Sequence, residues 1–159
     1  MNLEMESVNI DGMTGLERVL KRVGDVVGAI LLLIVLSPVL LFIYLRQKIS
    51  VKGPAIYSQE RIGKGGKPFK IYKFRSMKVN APDLRNNDGS TFNSENDPRV
   101  TKIGRWLRES SIDELPQVFN VLLGHMSLLG PRAGDVESKD TYEEDEKDKL
   151  LVRPGISGY

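Results

Sequence analysis

Two adjacent carboxylates, Asp113 and Glu114, stand near the head of the stretch Arg108 to Arg132, R-E-S-S-I-D-E-L-P-Q-V-F-N-V-L-L-G-H-M-S-L-L-G-P-R. Leu115, Val118, Phe119, Val121 and Leu122 follow at roughly helical spacing, and Gly124 stops the run. The acids therefore sit at the positive end of a helix dipole, with Arg108 one turn upstream. Two readings fit. Ser111 and Glu114 match the S-x-x-E capping box, in which case the acids only complement a helix start. Pro116 argues the other way. With a cap at Ser111 it would be the fifth helical residue, and its missing N–H would leave the Ile112 carbonyl unpaired. If Pro116 instead occupies the first turn, the acids lie just ahead of the helix and are freer to act on a ligand.

The composition narrows the function classes. At 159 residues and 40% hydrophobic, the chain suits one small domain. A formal net charge of +2 is too small to imply a nucleic-acid partner, so none is expected. Basic residues dominate near the apolar segment and through the middle, whereas Asp135 to Asp148 is mainly acidic. The absence of cysteine excludes disulfides and thiolate metal sites, and a single histidine excludes a multi-histidine cluster. His125, just past Gly124, reads as a surface or C-cap residue.

The acids need elements to hold them. Residues 1 to 15 are polar and read as frayed, and Arg18, Lys21 and Arg22 follow as a basic cluster. Val26 to Leu45 then carries no charge, a run of twenty residues. As a helix it measures about 30 Å, enough to cross a bilayer core. It is long for a signal peptide, has no cleavage site after it, and leaves too little amphipathic chain to bury it. Membrane insertion is the reading. Ser37-Pro38 lies past the middle, where proline removes one helical bond and clashes with the Ile34 carbonyl. The Ser37 hydroxyl can satisfy a freed group. Both flanks are basic, which favours a re-entrant helix–break–helix over a simple crossing.

Beyond the membrane segment, Ala55–Ile62 and Phe69–Phe74 are strand-like, and the glycine–lysine turn between them predicts a β-hairpin. That turn lacks a P-loop pattern and reads as a solvated turn. Lys73 and Arg75 are expected to face opposite ways if the second strand holds. Asn80 to Asn96 reads as a mobile loop, and Lys139 to Val152 as a charged helix. Val100, Ile103, Trp106 and Leu107 form one helical face with Lys102, Arg105 and Arg108 around it. Such a helix either lies in the lipid interface or packs on the hairpin.

These motifs together resemble the bacterial sugar transferases, the monotopic phosphoglycosyl transferases. The resemblance rests on K-R-V-G-D at 21–25, S-P at 37–38, G-P-A-I-Y-S-Q-E-R-I-G at 53–63 and F-K-I-Y-K-F-R-S-M at 69–77. It continues in D-P-R-V-T-K-I-G-R-W-L-R at 97–108, S-I-D-E-L-P-Q-V-F-N-V-L-L-G at 111–124, M-S-L-L-G-P-R at 126–132 and R-P-G-I-S-G at 153–158. It implies an α+β, mainly helical fold: a frayed 1–17, a re-entrant membrane helix over 18–50 broken at Ser37-Pro38, and a cytoplasmic-face catalytic domain over 51–159. That domain would combine the hairpin with interfacial amphipathic helices, and it would lack a C-terminal segment usual in the family.

The resemblance also implies the chemistry. Asp113 would be the nucleophile and Glu114 a Mg²⁺ ligand. The donor would be a nucleotide diphosphate sugar, usually a uridine one, and the acceptor polyprenol phosphate at the inner face of a bacterial plasma membrane. The product would start exopolysaccharide, O-antigen, capsule or glycoprotein glycans. An aspartate is ionised at neutral pH and needs no base to attack phosphorus. Mg²⁺ takes one or two protein carboxylates and completes its shell with phosphate oxygens and water. Lys73, Arg75, Arg108 and Arg132 are the candidate phosphate partners. The lipid bilayer is an implied partner, and a homodimer is left open. Two residues depart from the family pattern: His125 where Asp is usual, and Ala133 where Pro is usual. The competing expectation is a catalytically impaired, truncated relative that serves as an assembly partner.

Overall fold

The computed structural model describes residues 12–51, 53–84, 97–136 and 148–158. A 37-residue helix, α1 (Gly15–Val51), leads into β1 (Ile56–Ile62) and β2 (Pro68–Phe74), joined through a 3₁₀ turn at Lys64–Gly66. The hairpin expected from the sequence is present. Then come α2 (Lys102–Glu109), a 3₁₀ turn at Ile112–Glu114, and α3 (Gln117–Leu122). The short strands β3 (Ser127–Leu129), β4 (Gly134–Asp135) and β5 (Gly155–Ser157) follow, with a 3₁₀ turn at Asp148–Leu151. One sheet has the order β2-β1-β4, with β1 and β4 antiparallel in the register Arg61 to Asp135; β3 and β5 form a parallel pair. The mixed helical and strand architecture agrees with the expected class. The charged helix over 139–152 lies mostly outside the described residues, as does most of the 80–96 loop.

The α1 apolar stretch is long enough to cross a membrane, and only 11% of its most apolar window is buried within the protein. A core helix would be covered; this one presents Leu31, Ile34, Val35, Leu41 and Phe42 outward. The helix runs through Pro38 without interruption, so the expected break is not a gap in helical structure. The local consequence of proline is nonetheless present. The Ser37 hydroxyl donates to the Ile34 carbonyl at 2.9 Å, the group that Pro38 deprives of its usual partner.

The chain forms two compact units. In the unit made of 33–59 and 71–117, Ile43, Phe74 and Leu107 form a buried cluster, with Leu40, Ile56, Ile103 and Ile112 packed against it. Full burial of each large apolar side chain contributes roughly 1.5–3 kcal/mol. Helix α2 is thus docked on the hairpin through Ile103 and Leu107, whereas Trp106 remains 51% exposed. Thr101 caps α2, accepting from the Gly104 N–H at 3.0 Å. Gly104 approaches the Ser76 backbone so closely that a Cβ would lie 1.9 Å from the Ser76 carbonyl oxygen. Only glycine permits that approach.

In the unit made of 1–32, 60–70 and 118–159, α3 ends in a Schellman turn. Gly124 has φ +85°, its N–H reaches the Val121 carbonyl, and the His125 N–H reaches the Asn120 carbonyl. His125 is the exposed residue just past that cap, with its ring 5.8 Å from Phe69. Two motifs are structural here. Arg22 donates to the Val121 and Leu122 carbonyls at 2.7 and 3.2 Å, a cation on a helix C-terminus. Asp25, buried, accepts from the Ser127 hydroxyl and the Leu128 N–H at 2.9 and 3.0 Å.

Candidate active site

The acid pair is built by the way α2 ends. Ser110 is its C-cap, and Ser111 follows in the left-handed region at φ +56° and ψ +14°. That conformation terminates a helix, and the Ser111 N–H bonds the Arg108 carbonyl at 3.1 Å. An N-cap needs an extended backbone, so Ser111 cannot also serve the turn that follows, and it makes no side-chain cap. The S-x-x-E capping box is therefore not formed. Asp113 and Glu114 stand on a 3₁₀ turn, and Pro116 lies immediately before α3. The arrangement is the one that Pro116 favoured.

Both carboxylates are partly buried. Glu114 is held by Lys73, whose Nζ donates to Oε1 at 2.8 Å; the two side chains are only 25% and 19% exposed. Among the described residues, no other side chain hydrogen-bonds to the Asp113 carboxylate. Burial pushes its pKa above the ordinary aspartate value; Lys73 and, more weakly, Arg108 oppose that shift, while Glu114 adds to it. One acid is thus clamped and its neighbour is left open under the field of two cations.

The four candidate cations divide. Lys73 and Arg108 act on the acids. Arg108 donates through Nε to the buried Ser76 hydroxyl at 2.8 Å, which fixes the plane of its guanidinium. Arg75 does not join them. Its Nε donates to the Pro54 carbonyl at 2.8 Å, and its guanidinium lies 5.4 Å from the Tyr57 ring centroid. Lys73 and Arg75 do take different partners, but alternation is not the reason, since residues two apart on a strand share a face. The cause is that β2 ends at Phe74. Arg132 belongs to the other unit, where it is exposed just past Gly130-Pro131.

Sequence reasoning missed the residues that support the cations. Ser76 is one. Gln47 is another: fully buried, its Nε2 donates to the Arg75 carbonyl at 2.6 Å, tying the end of α1 to the end of β2. A third is the buried pair of D-P-R, in which Arg99 Nε and Nη2 grip Asp97 at 2.7–3.1 Å and Nη1 reaches the Pro82 carbonyl. Arg99 holds the Asp97 carboxyl below its ordinary range. The signal was an acid and an arginine flanking a proline, which the motif held but periodicity could not interpret.

The donor set suits a hard divalent cation. Two adjacent, partly buried carboxylates supply oxygen ligands only, and no thiol or imidazole competes. The described residues hold no cluster of three or more acidic, histidine or cysteine side chains. An ion that shares its shell with substrate phosphates does not need one.

The profile of the bacterial sugar transferases matches residues 16–159. The chain belongs to that family. It is 47% identical over 150 residues to the UDP-glucose:undecaprenyl-phosphate glucose-1-phosphate transferase of Escherichia coli K12, covering 92% of this chain and 32% of that protein. It is 44% identical over 153 residues to the undecaprenyl-phosphate galactose phosphotransferase of Salmonella typhimurium LT2, covering 89% and 32%. It is 42% identical over 149 residues to the exopolysaccharide production protein PSS of Rhizobium leguminosarum, covering 90% and 73%. The chain thus spans about a third of the length of the first two relatives.

Proposed function

We propose that this sugar transferase moves a phosphosugar from a nucleotide diphosphate sugar, with uridine as the nucleoside, onto polyprenol phosphate at the cytoplasmic face of a bacterial inner membrane. Asp113 is the nucleophile. The observation that carries the reading is the asymmetry of the acid pair, with Glu114 clamped by Lys73 and Asp113 open beside it. A carboxylate oxygen of Asp113 attacks the phosphorus that bears the sugar. The bond from that phosphorus to the bridging oxygen breaks, and the nucleoside monophosphate leaves with the oxygen. A phosphate oxygen of the polyprenol phosphate then attacks the same phosphorus, the bond to Asp113 breaks, and the carboxylate is restored. Lys73 and Arg108 offset the charge of the diphosphate, and Arg108 is oriented for this by Ser76. Glu114 would hold Mg²⁺, which when bound would supply further neutralisation of phosphate charge. The UDP donors and undecaprenyl acceptors in the names of the relatives support the substrate class.

The test is Asp113→Asn, which keeps shape and removes charge. Turnover, release of the nucleoside monophosphate and attachment of phosphosugar to the protein should all disappear, with folding retained. Turnover in a folded Asp113→Asn protein would overturn the assignment. The re-entrant placement of α1 belongs to the same proposal, supported by the basic residues on both flanks. Single cysteines at Gly15 and Lys48 should both be shielded from an impermeant reagent in intact cells. Labelling of one alone would make the helix a simple crossing.

A further inference from the structure

In the unit made of 1–32, 60–70 and 118–159, a cleft of about 550 Å³ opens beside the start of α1. Arg18, Lys21, Arg22, Lys64 and Arg153 line it, with Asp25 the one acid among the described lining residues. The acid is occupied. Asp25 accepts from Ser127 and Leu128 and pairs with Lys21 at 3.5 Å. The hydrogen bonds of Arg22 and Arg153 go to neutral carbonyls and leave their charge in place. Arg22 serves the Val121 and Leu122 carbonyls, Lys21 the Ser127 hydroxyl and Leu129 carbonyl, and Arg153 Nε the Gly124 carbonyl at 2.9 Å. Among the described residues the terminal nitrogens of Arg153 bond to nothing else. The far wall is fixed backbone: β3 and β5 pair in parallel, and Ser127, Gly130 and Gly155 N–H groups bond the Pro154, Ser157 and Pro131 carbonyls.

The position of the cleft names its ligand. Along α1 the charges that line it end at Asp25, and the uncharged run begins at Val26. The cations therefore lie where the polar chain meets the segment read as entering the bilayer, the depth of lipid phosphates. Val19, Val23 and Leu129, which also line the cleft, are each more than half exposed. A ligand matched to this surface carries an anionic head and an apolar tail. We infer that the cleft is a binding site for the phosphodiester head group of an anionic bilayer lipid, separate from the acid pair. It does not depend on the proposed transfer reaction, and it gives the chain a means of responding to the charge of its membrane.

The full chain in neutral detergent is titrated with dihexanoyl phosphatidylglycerol, dihexanoyl phosphatidylcholine and inorganic phosphate, read by calorimetry and by melting. The glycerol lipid should bind at least tenfold more tightly than either of the others, and its affinity should fall as salt rises. Arg18→Gln and Arg153→Gln should each weaken it about fivefold, as for one basic residue near a charged surface. Asp113→Asn should bind it as the wild type does, so loss of catalysis and loss of this site are distinguishable. Equal binding of the choline lipid would overturn the inference, as would equal binding of inorganic phosphate, which would mean an anion site with no use for the tail. Unchanged affinity in a folded Arg18→Gln protein together with salt-independent binding would overturn it even if Arg153→Gln failed to fold.

Discussion

Two four-residue stretches of this chain carry the same capping signature and fold differently. Thr14 to Glu17 forms the reciprocal box: the Glu17 carboxylate accepts from the Thr14 N–H at 2.7 Å, and the Glu17 N–H reaches the Thr14 hydroxyl at 3.3 Å. Ser111 to Glu114 does not, although its letters fit equally well. The difference is what precedes each. Upstream of Thr14 among the described residues there is no helix, so the hydroxyl can serve the one that begins. Ser111 is already spent ending α2, and Glu114 has been drawn to Lys73. A capping residue serves one helix, and when two helices abut, the second must start without it. Asp113 is left with a carboxylate that no side chain among the described residues takes up, which is the state in which a carboxylate is available to a ligand.

The largest expected effect separates the two glutamates. Glu114→Gln should depress turnover a hundredfold or more and raise the Mg²⁺ concentration needed, because glutamine lacks the charge a hard cation favours. Glu17→Gln should change neither. Turnover against Mg²⁺ concentration, measured for both variants, decides it. Matching curves for Glu114→Gln and wild type would put the metal elsewhere.

Next comes the cation that holds Glu114. Lys73→Met removes a partly buried charged hydrogen bond, a loss of about 1.5 kcal/mol. Its clearer signature is in pH. Asp113 must be ionised to attack, burial raises its pKa, and Lys73 is the strongest influence lowering it. The acid limb of the rate profile in the wild type should therefore lie above the ordinary aspartate range, near 3.9. In Lys73→Met it should move further toward neutral pH. A limb that stays put, or moves down, would mean that Lys73 does not act on Asp113.

Smaller still is the cost of the box that does form. Thr14→Ala should weaken the first turn of α1 by about 1 kcal/mol, seen as roughly fivefold faster amide exchange at Glu17, with catalysis unaltered. An unchanged rate would mean that the box contributes nothing beyond its geometry.

Local rules made much of this legible. The hairpin, the apolar helix and the Thr101-to-Glu109 amphipathic segment follow from periodicity and turn residues, and the Ser37–Ile34 bond follows from the chemistry of proline. The part that was not legible depends on contacts distant in sequence. Nothing near Lys73 indicates that it meets Glu114, 41 positions later, or that Arg75 turns to Pro54. The end of β2 at Phe74 decides between them, and that end is fixed by packing of Phe74 on Leu107 and Ile43. The uninterrupted helix through Pro38 shows the same limit. Proline removes one bond, but the many remaining bonds of a 37-residue helix keep it intact.

The last and smallest effect tests the conformation on which the comparison turns. If Ser111 were an N-cap, replacing it with Ala would cost about 1 kcal/mol and with Gly a few tenths. As a left-handed C′ residue with φ +56°, it should behave in the opposite sense for glycine. Ser111→Gly relieves the steric cost that an L-residue bears there, on the order of 1 kcal/mol, against a loss of similar size from the added freedom of the unfolded chain. The net change should fall between zero and a few tenths of a kcal/mol in favour of the variant. Ser111→Ala keeps the strain and loses no cap, so it too should stay within about half a kcal/mol of wild type. Melting curves on the two variants distinguish the cases: alanine clearly less stable than wild type, with glycine between them, would mean that Ser111 caps the turn bearing Asp113 and Glu114 after all.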